Sequence, residues 1–316
     1  MKHHPIFLIT SLFISALHAI DLPLLPAEKA VIEQIATLEG IELDLAAKPG
    51  FSARAAAEAL VSLGFAKGDL ASVTIQAKDS EKRAVTLTHD KAGHVLAFTG
   101  NGPWLRNDGL KLLTGLPELR IIRLDHNTPV PKSGVDEALY SGAGFAALKD
   151  SKLAIVKIGH AFDDSGMKAL ASIPSLRRID IGHSKVTDAG IAALAGHPNL
   201  EEASFSPMGA PKITNKTLAV LATLPKLQRI GMNETFVTYA DGFEHLKPLQ
   251  GRLKSVELVQ SLVLPTDVEK LKADHPGLDV KTSTMAEVAE KTYRRNQLLK
   301  WASPEAVAYL KANEGK

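Results

Sequence analysis

Two neighbouring stretches, KLAIVKIGHAFDDSGMKALASIP at residues 152–174 and SLRRIDIGHSKVTDAGIAALAGHP at residues 175–198, decide the fold of this protein. Each begins with a Leu-x-x-aliphatic-x-aliphatic run and continues, after a short turn, with Asp-x-Gly-aliphatic-x-x-Leu and a closing proline. The pattern predicts one strand and one helix in each unit. Self-similarity at a fixed period is typical of proteins built from stacked repeats.

The first leucine of each predicted strand extends this repeat in both directions. Successive leucines are 34, 23, 24, 27 and 26 residues apart, and the longest step holds an insertion. Most steps fall within the roughly 20–29 residues of a leucine-rich unit. The six leucines are Leu119, Leu153, Leu176, Leu200, Leu227 and Leu253.

The turn into the helical half supports a family resemblance. Val186-Thr187-Asp188-Ala189-Gly190-Ile191 carries a complete V-T-D-x-G-hydrophobic motif, and the other units keep parts of it. In this respect the chain resembles the ribonuclease-inhibitor-like members of the leucine-rich repeat family, over roughly residues 93 to 280. The resemblance implies an α/β solenoid with a curved parallel sheet, helices on the convex side, and a concave face that binds partners.

Burial of apolar surface also requires the units to stack, because one strand and one helix cannot bury their apolar side alone. We therefore expect one inward-facing stripe to recur in every unit. In the second quoted unit its members are Leu176, Ile179, Ile181, Val186, Ile191 and Leu194. Gly166 and Gly190 suit close packing where a strand turns into a helix.

The chain start predicts export. Met1-Lys2-His3-His4 precedes a short apolar run that ends near Ala19, as in a secretory signal peptide over residues 1–19. The run is short for a membrane span of about 20 residues, so we expect no span after cleavage. The expected location is periplasmic or extracellular.

Both flanks of the repeats are predicted to cap the solenoid. Residues 20–92 should form a small α+β cap with two helices, and strands are predicted to follow at 73–76, 83–88 and 94–99. Residues 281–316 should form a helical C-terminal cap, with one helix over 286–301 and a second that begins at Ser303-Pro304-Glu305. The repeats proper occupy residues 93–280.

Composition excludes several classes of function. The 316 residues carry a net charge of +2 without a strong basic cluster, so we expect no nucleic-acid partner. The absence of cysteine excludes disulfides, thiol catalysis and thiolate metal sites. Phosphate-binding loops and nucleophile elbows do not occur, and we expect neither a cofactor nor enzymatic activity.

The outward residues of the predicted strands are the main candidate for binding. Two columns of alternating charge run across them, and adjoining Ile121 and Ile155 are expected to be exposed, which favours a contact surface. The alternative is a solvated sheet face with weakly paired ions. The candidate binding residues are Ile121, Arg123, Ile155, Lys157, Arg178, Asp180, Glu202, Ser204, Arg229 and Glu257.

Three histidines form a sharper pattern. His126, His160 and His183 occupy the same position on three consecutive units, two residues after the last strand aliphatic, so we expect their rings to stack about 4.8 Å apart. Imidazole nitrogen binds transition metals, and Asp125 or Asp163 could add an oxygen ligand. The alternative, which we favour, is a histidine ladder that holds no metal.

We conclude from the sequence that this is an exported, non-catalytic binding protein whose partner is a protein or a cell-envelope polymer. Two alternatives remain open: a metal-dependent hydrolase centred on His126, His160 and His183, and a purely structural envelope protein.

Overall fold

A computed structural model describes residues 22–45, 52–78, 80–129, 134–207, 212–283, 296, 299–300 and 304–312. The predicted signal peptide lies outside these residues, as does most of the predicted helix over 286–301. The fold is α/β, with helices beside one 11-stranded sheet whose spatial strand order follows the order of the chain.

The strands form two regions. The pairings from β1 to β4 are antiparallel, and all pairings from β4 to β11 are parallel. The bounds are β1 Leu43–Leu45, β2 Ala71–Ala77, β3 Ser80–His89, β4 Val95–Asn101, β5 Ile121–Asp125, β6 Ile155–Gly159, β7 Arg178–Ser184, β8 Glu202–Pro207, β9 Arg229–Met232, β10 Ser255–Leu258 and β11 Asp279–Thr282.

Helical segments fill the connections between the parallel strands. The α-helices are α1 Pro26–Leu38, α2 Ser52–Ser62, α3 Asn107–Leu112, α4 Asp164–Ala171, α5 Asp188–Ile191, α6 Asn215–Ala222, α7 Pro265–Asp274 and α8 Pro304–Ala312. The helical halves at Ala143–Leu148 and Phe243–Leu249 are 3₁₀ turns rather than the α-helices we expected. In the second of these, Pro248 removes a backbone donor and thus disfavours an α-helix.

The predicted inward stripe is confirmed. All six residues of the unit at 175–198 are at most 1% exposed, and the first leucines of the six predicted strands are all buried. They join one continuous core between the sheet and the helices. A Cβ atom on Gly190 would lie 2.3 Å from the Asp164 carboxylate, so the close packing at this position leaves no room for a larger residue.

Polar side chains link successive units at the turn into each helix. The Asp164 carboxylate accepts hydrogen bonds from the Thr187 N–H and hydroxyl, each at 2.7 Å. Asn107 and Asn215 make comparable bonds to the units that follow them. The V-T-D-x-G turn therefore holds neighbouring units in register.

The helices and strands predicted before residue 100 are present. The sheet continues without a break from β3 to β4, and the role of residues 20–92 as a separate cap stays a prediction. A buried carboxylate ties this part to the repeats: Glu39 accepts from the Tyr140 hydroxyl at 2.6 Å and lies 3.3 Å from the Arg106 guanidinium. Burial, together with this bond, raises the pKa of Tyr140 to about 12.

Within the part of the chain that the structure describes, no helix combines the length and apolarity that crossing a membrane requires.

Candidate functional site

Two columns of outward side chains cross the parallel strands in the predicted register. The first follows Ile121, Ile155, Arg178, Glu202, Arg229 and Ser255, and the second follows Arg123, Lys157, Asp180, Ser204, Gly231 and Glu257. β11 adds Asp279 to the first column and Lys281 to the second. We call the part on β7–β11 the outward face, because its side chains point away from the main core.

The prediction that Ile121 and Ile155 are exposed is wrong. They are 0% and 8% exposed, in a second small core that also holds Ala56 and Leu60 of α2. Helix α2 contacts β3, β4 and β5 on the side opposite α3–α7 and thereby covers the apolar end of the columns. The outward face therefore begins beside α2, where the Arg178 guanidinium donates to the Ser62 hydroxyl at 3.0 Å.

Several candidate binding residues are already paired within the chain. The Lys157 ammonium lies 3.4 Å from Asp180 and 3.9 Å from Asp125. Glu202 lies between two arginines, 3.5 Å from Arg178 and 3.8 Å from Arg229. These side chains are partly exposed, so each pair contributes little to stability and can exchange partners.

A polar hollow of about 380 Å³ opens on β8–β11. Small residues make its floor, since a Cβ atom on Gly231 would lie 2.3 Å from the Ser204 hydroxyl. Acidic and basic side chains line it in equal number: Glu202, Glu257 and Asp279 against Arg229, Lys254 and Lys281.

Sequence reasoning missed Lys254, which lies one residue before the first column, and it missed Asp279 and Lys281, because the last strand leucine that it identified is Leu253. A signal was available, since Asp279–Thr282 continues the alternation of the preceding strands. β11 pairs with β10 in the register that this alternation requires, Ser255 against Asp279 and Glu257 against Lys281.

The three histidine rings are neighbours, but only the first two lie near the expected distance, and His160 and His183 meet edge to face. The ring centroids of His126 and His160 are 4.7 Å apart, and those of His160 and His183 are 6.2 Å apart. All three residues have left-handed backbone angles, with φ of 56°, 59° and 49°. Histidine tolerates this region better than most residues, and the same position in later units is also left-handed, at Glu234 and Gln260. Backbone geometry thus accounts for the repeated position.

The side-chain partners of the histidines do not converge on a shared point. His126 bonds the Asn101 side chain at 2.9 Å, and His183 lies 3.1 Å from the Glu234 carboxylate. Asp163 instead caps α4, accepting from the Ser165 N–H at 2.8 Å. Among the described residues, no group of histidine, aspartate and glutamate side chains is arranged to hold a metal ion.

The pKa of the central imidazole, His160, is lowered from its ordinary value. Burial lowers the pKa of His160, and the neighbouring His126 and His183 lower it further, whereas Asp125 opposes the shift. The ladder therefore disfavours protonation at its centre.

No protein-family model matches the chain. No curated protein matches it significantly. Among solved structures, a leucine-rich repeat protein from Leptospira interrogans is similar over 54% of this chain, with 16% sequence identity and a TM-score of 0.34. The chain spans 45% of the length of that protein.

Proposed function

We propose that this protein is an exported leucine-rich repeat protein that binds another protein through its outward face and has no catalytic activity. The supporting observation is the open, charged surface between α2 and β11, with its hollow at Gly231. Broad faces across stacked strands are the usual binding surfaces of repeat proteins. A protein partner suits this face better than an envelope polymer, because charges of both signs alternate across it.

The hydrolase alternative has no observation in its favour. Contacts within the chain account for the nearby carboxylates, since Asp163 caps α4 and Asp125 lies 3.9 Å from the Lys157 ammonium, so we do not propose a metal-dependent reaction.

The absence of cysteine allows a sharp test of the binding face. A single cysteine at Ser255 on the outward face, or at Lys272 on α7, carries a photoactivatable crosslinker. Each labelled protein is then exposed to the envelope fraction of its own organism. We expect discrete crosslinked products from Ser255→Cys only, reduced by excess unlabelled protein and by an added Glu257→Lys substitution.

Equal capture from both positions, or capture that Glu257→Lys leaves unchanged, would show that the partner binds elsewhere.

Export has its own test. The protein recovered from cells should begin at Ile20, which N-terminal sequencing measures, and recovery of uncleaved protein from the cytoplasm would contradict the proposal.

A further inference from the structure

The charges of the outward face change order from one end to the other. β7 carries Arg178 in the first column and Asp180 in the second, whereas β11 carries Asp279 in the first and Lys281 in the second. β7 and β11 each lie two strands from β9, on opposite sides of it. The order of charge across the two columns is basic then acidic on β7, and acidic then basic on β11.

We infer that the partner bound by this face is a second copy of the same chain, related by a two-fold axis that lies in the plane of the face and runs along β9. This inference rests on the proposed function and names its partner. Rotation about that axis sets β7 of one copy against β11 of the other and keeps each column facing itself. Arg178 then faces Asp279 of the second copy, and Asp180 faces Lys281 of the second copy. By symmetry each pairing occurs twice.

The remaining positions are compatible with the same axis. Glu202 of one copy faces the Ser255 hydroxyl of the other, and Ser204 faces Glu257, so each carboxylate meets a hydrogen-bond donor. On β9 itself, Arg229 and Gly231 each meet the same residue of the second copy; of these only Arg229 is charged, and Glu202 of the same chain lies 3.8 Å from it.

Helix α2 selects this axis over the perpendicular one. An in-plane axis across the strands would also pair unlike charges, but it would set α2 of one copy against α2 of the other. Facing sheets pack about 10 Å apart and one helix is about 10 Å across, so two stacked helices do not fit between them. With the axis along β9, α2 stands over β3–β5 and therefore lies beyond β11 of the second copy.

The size of the face sets the strength of the complex. Five strands about 4.8 Å apart, each contributing four residues of about 3.3 Å, give on the order of 300 Å² for each copy. Stable interfaces bury about 800 Å² on each partner. We therefore expect a weak dimer that forms at high protein concentration and dissociates in salt, because its contacts are mostly ionic.

Two single charge reversals test the pairing. In Lys281→Glu, two acidic pairs oppose each other across the axis, and in Asp180→Lys two basic pairs do. We expect each variant alone to dimerise about tenfold more weakly than the natural protein in sedimentation velocity at low salt. Lys272→Glu reverses an exposed charge on α7 and should leave dimerisation unchanged.

Mixing the two variants gives the decisive result. In the mixed dimer, the introduced glutamate faces the introduced lysine and the natural Asp180 faces the natural Lys281, so association should return to the natural level. Circular dichroism checks that both variants fold.

A natural protein that stays monomeric at every soluble concentration would overturn the inference. So would variants that dimerise normally, or a mixture that does not recover. If the natural protein is monomeric while the Ser255 crosslinker still captures a different protein, the binding face stands and only its assignment to a second copy fails.

Discussion

The Asp188 carboxylate accepts hydrogen bonds from the Thr214 N–H at 2.9 Å and from the Thr214 hydroxyl at 2.7 Å, across the boundary between two repeat units. The buried Thr217 hydroxyl donates to the same carboxylate at 2.7 Å. One side chain therefore satisfies three donors of the following unit.

Asp188→Ala should lower the free energy of unfolding by about 2–3 kcal/mol, because it leaves these donors, one of them buried, without an acceptor. Urea denaturation measures the loss. Asp188→Asn keeps one oxygen acceptor and should cost less, as asparagine occupies the matching position at Asn107 and Asn215. An alanine variant as stable as the natural protein would mean that the hydrogen bonds of Asp188 do not hold the two repeat units together.

The inward stripe gives a second prediction. Ile179 is 1% exposed in the main core, so Ile179→Asp buries an unpaired charge and should cost about 4 kcal/mol or more. Arg123→Asp is the control, because it places the same group in an outward column beside Lys157. Thermal melting should show a large loss for the first variant and a small change for the second. Similar melting temperatures would mean that Ile179 does not face the core and that the inward and outward sides of the sheet are wrongly assigned.

The inward side was predictable because each unit repeats the same spacing, and burial of Ile179 follows from the need to stack. The outward columns follow from the same alternation, so their register was also predictable. Burial of Ile121 was not, because it depends on α2, a helix more than 50 residues earlier in the chain.

Local signals for that contact exist, but they are weak. Ala56 and Leu60 give α2 one apolar side, and Leu96 and Ala97 add apolar area beside Ile121. Each signal fits several partners, and only the folded chain shows that α2 packs on the side of the sheet opposite the other helices. The hollow at Gly231 similarly depends on which small residues become neighbours on adjacent strands.

The second core predicts a local effect of substitutions in α2. Leu60→Asp should release α2 from β4 and β5, because Leu60 is 0% exposed against Ile121. Binding of a hydrophobic dye should increase as Ile121 and Ile155 become exposed, while the melting temperature falls less than in Ile179→Asp. Val61→Asp is the control, since Val61 is 43% exposed. Unchanged dye binding in Leu60→Asp would contradict the cover by α2.

The histidine ladder predicts a protein without bound metal. Protein purified without added ions should contain no stoichiometric zinc, copper or nickel by elemental analysis, and a chelator should not change its melting temperature. Among the residues that the structure describes, no histidine, aspartate and glutamate side chains are grouped to hold an ion. One equivalent of metal that is lost in His160→Ala would contradict this and favour the hydrolase alternative.

The lowered pKa of His160 predicts how the ladder affects stability in acid. The folded protein resists protonation of His160, whereas the unfolded chain takes up the proton near the ordinary imidazole pKa of about 6.5. Stability from the neutral ring is therefore fully present above that pKa and falls as the pH drops toward the lower folded pKa.

The variant His160→Asn tests this, because it removes the titrating group and keeps a residue that tolerates φ of 59°. The difference in melting temperature between variant and natural protein therefore reports the protonation of His160 together with its repulsion by His126 and His183. The variant should gain relative to the natural protein between about pH 7 and about pH 5, and a difference that stays constant over this range would show that the ladder does not oppose protonation.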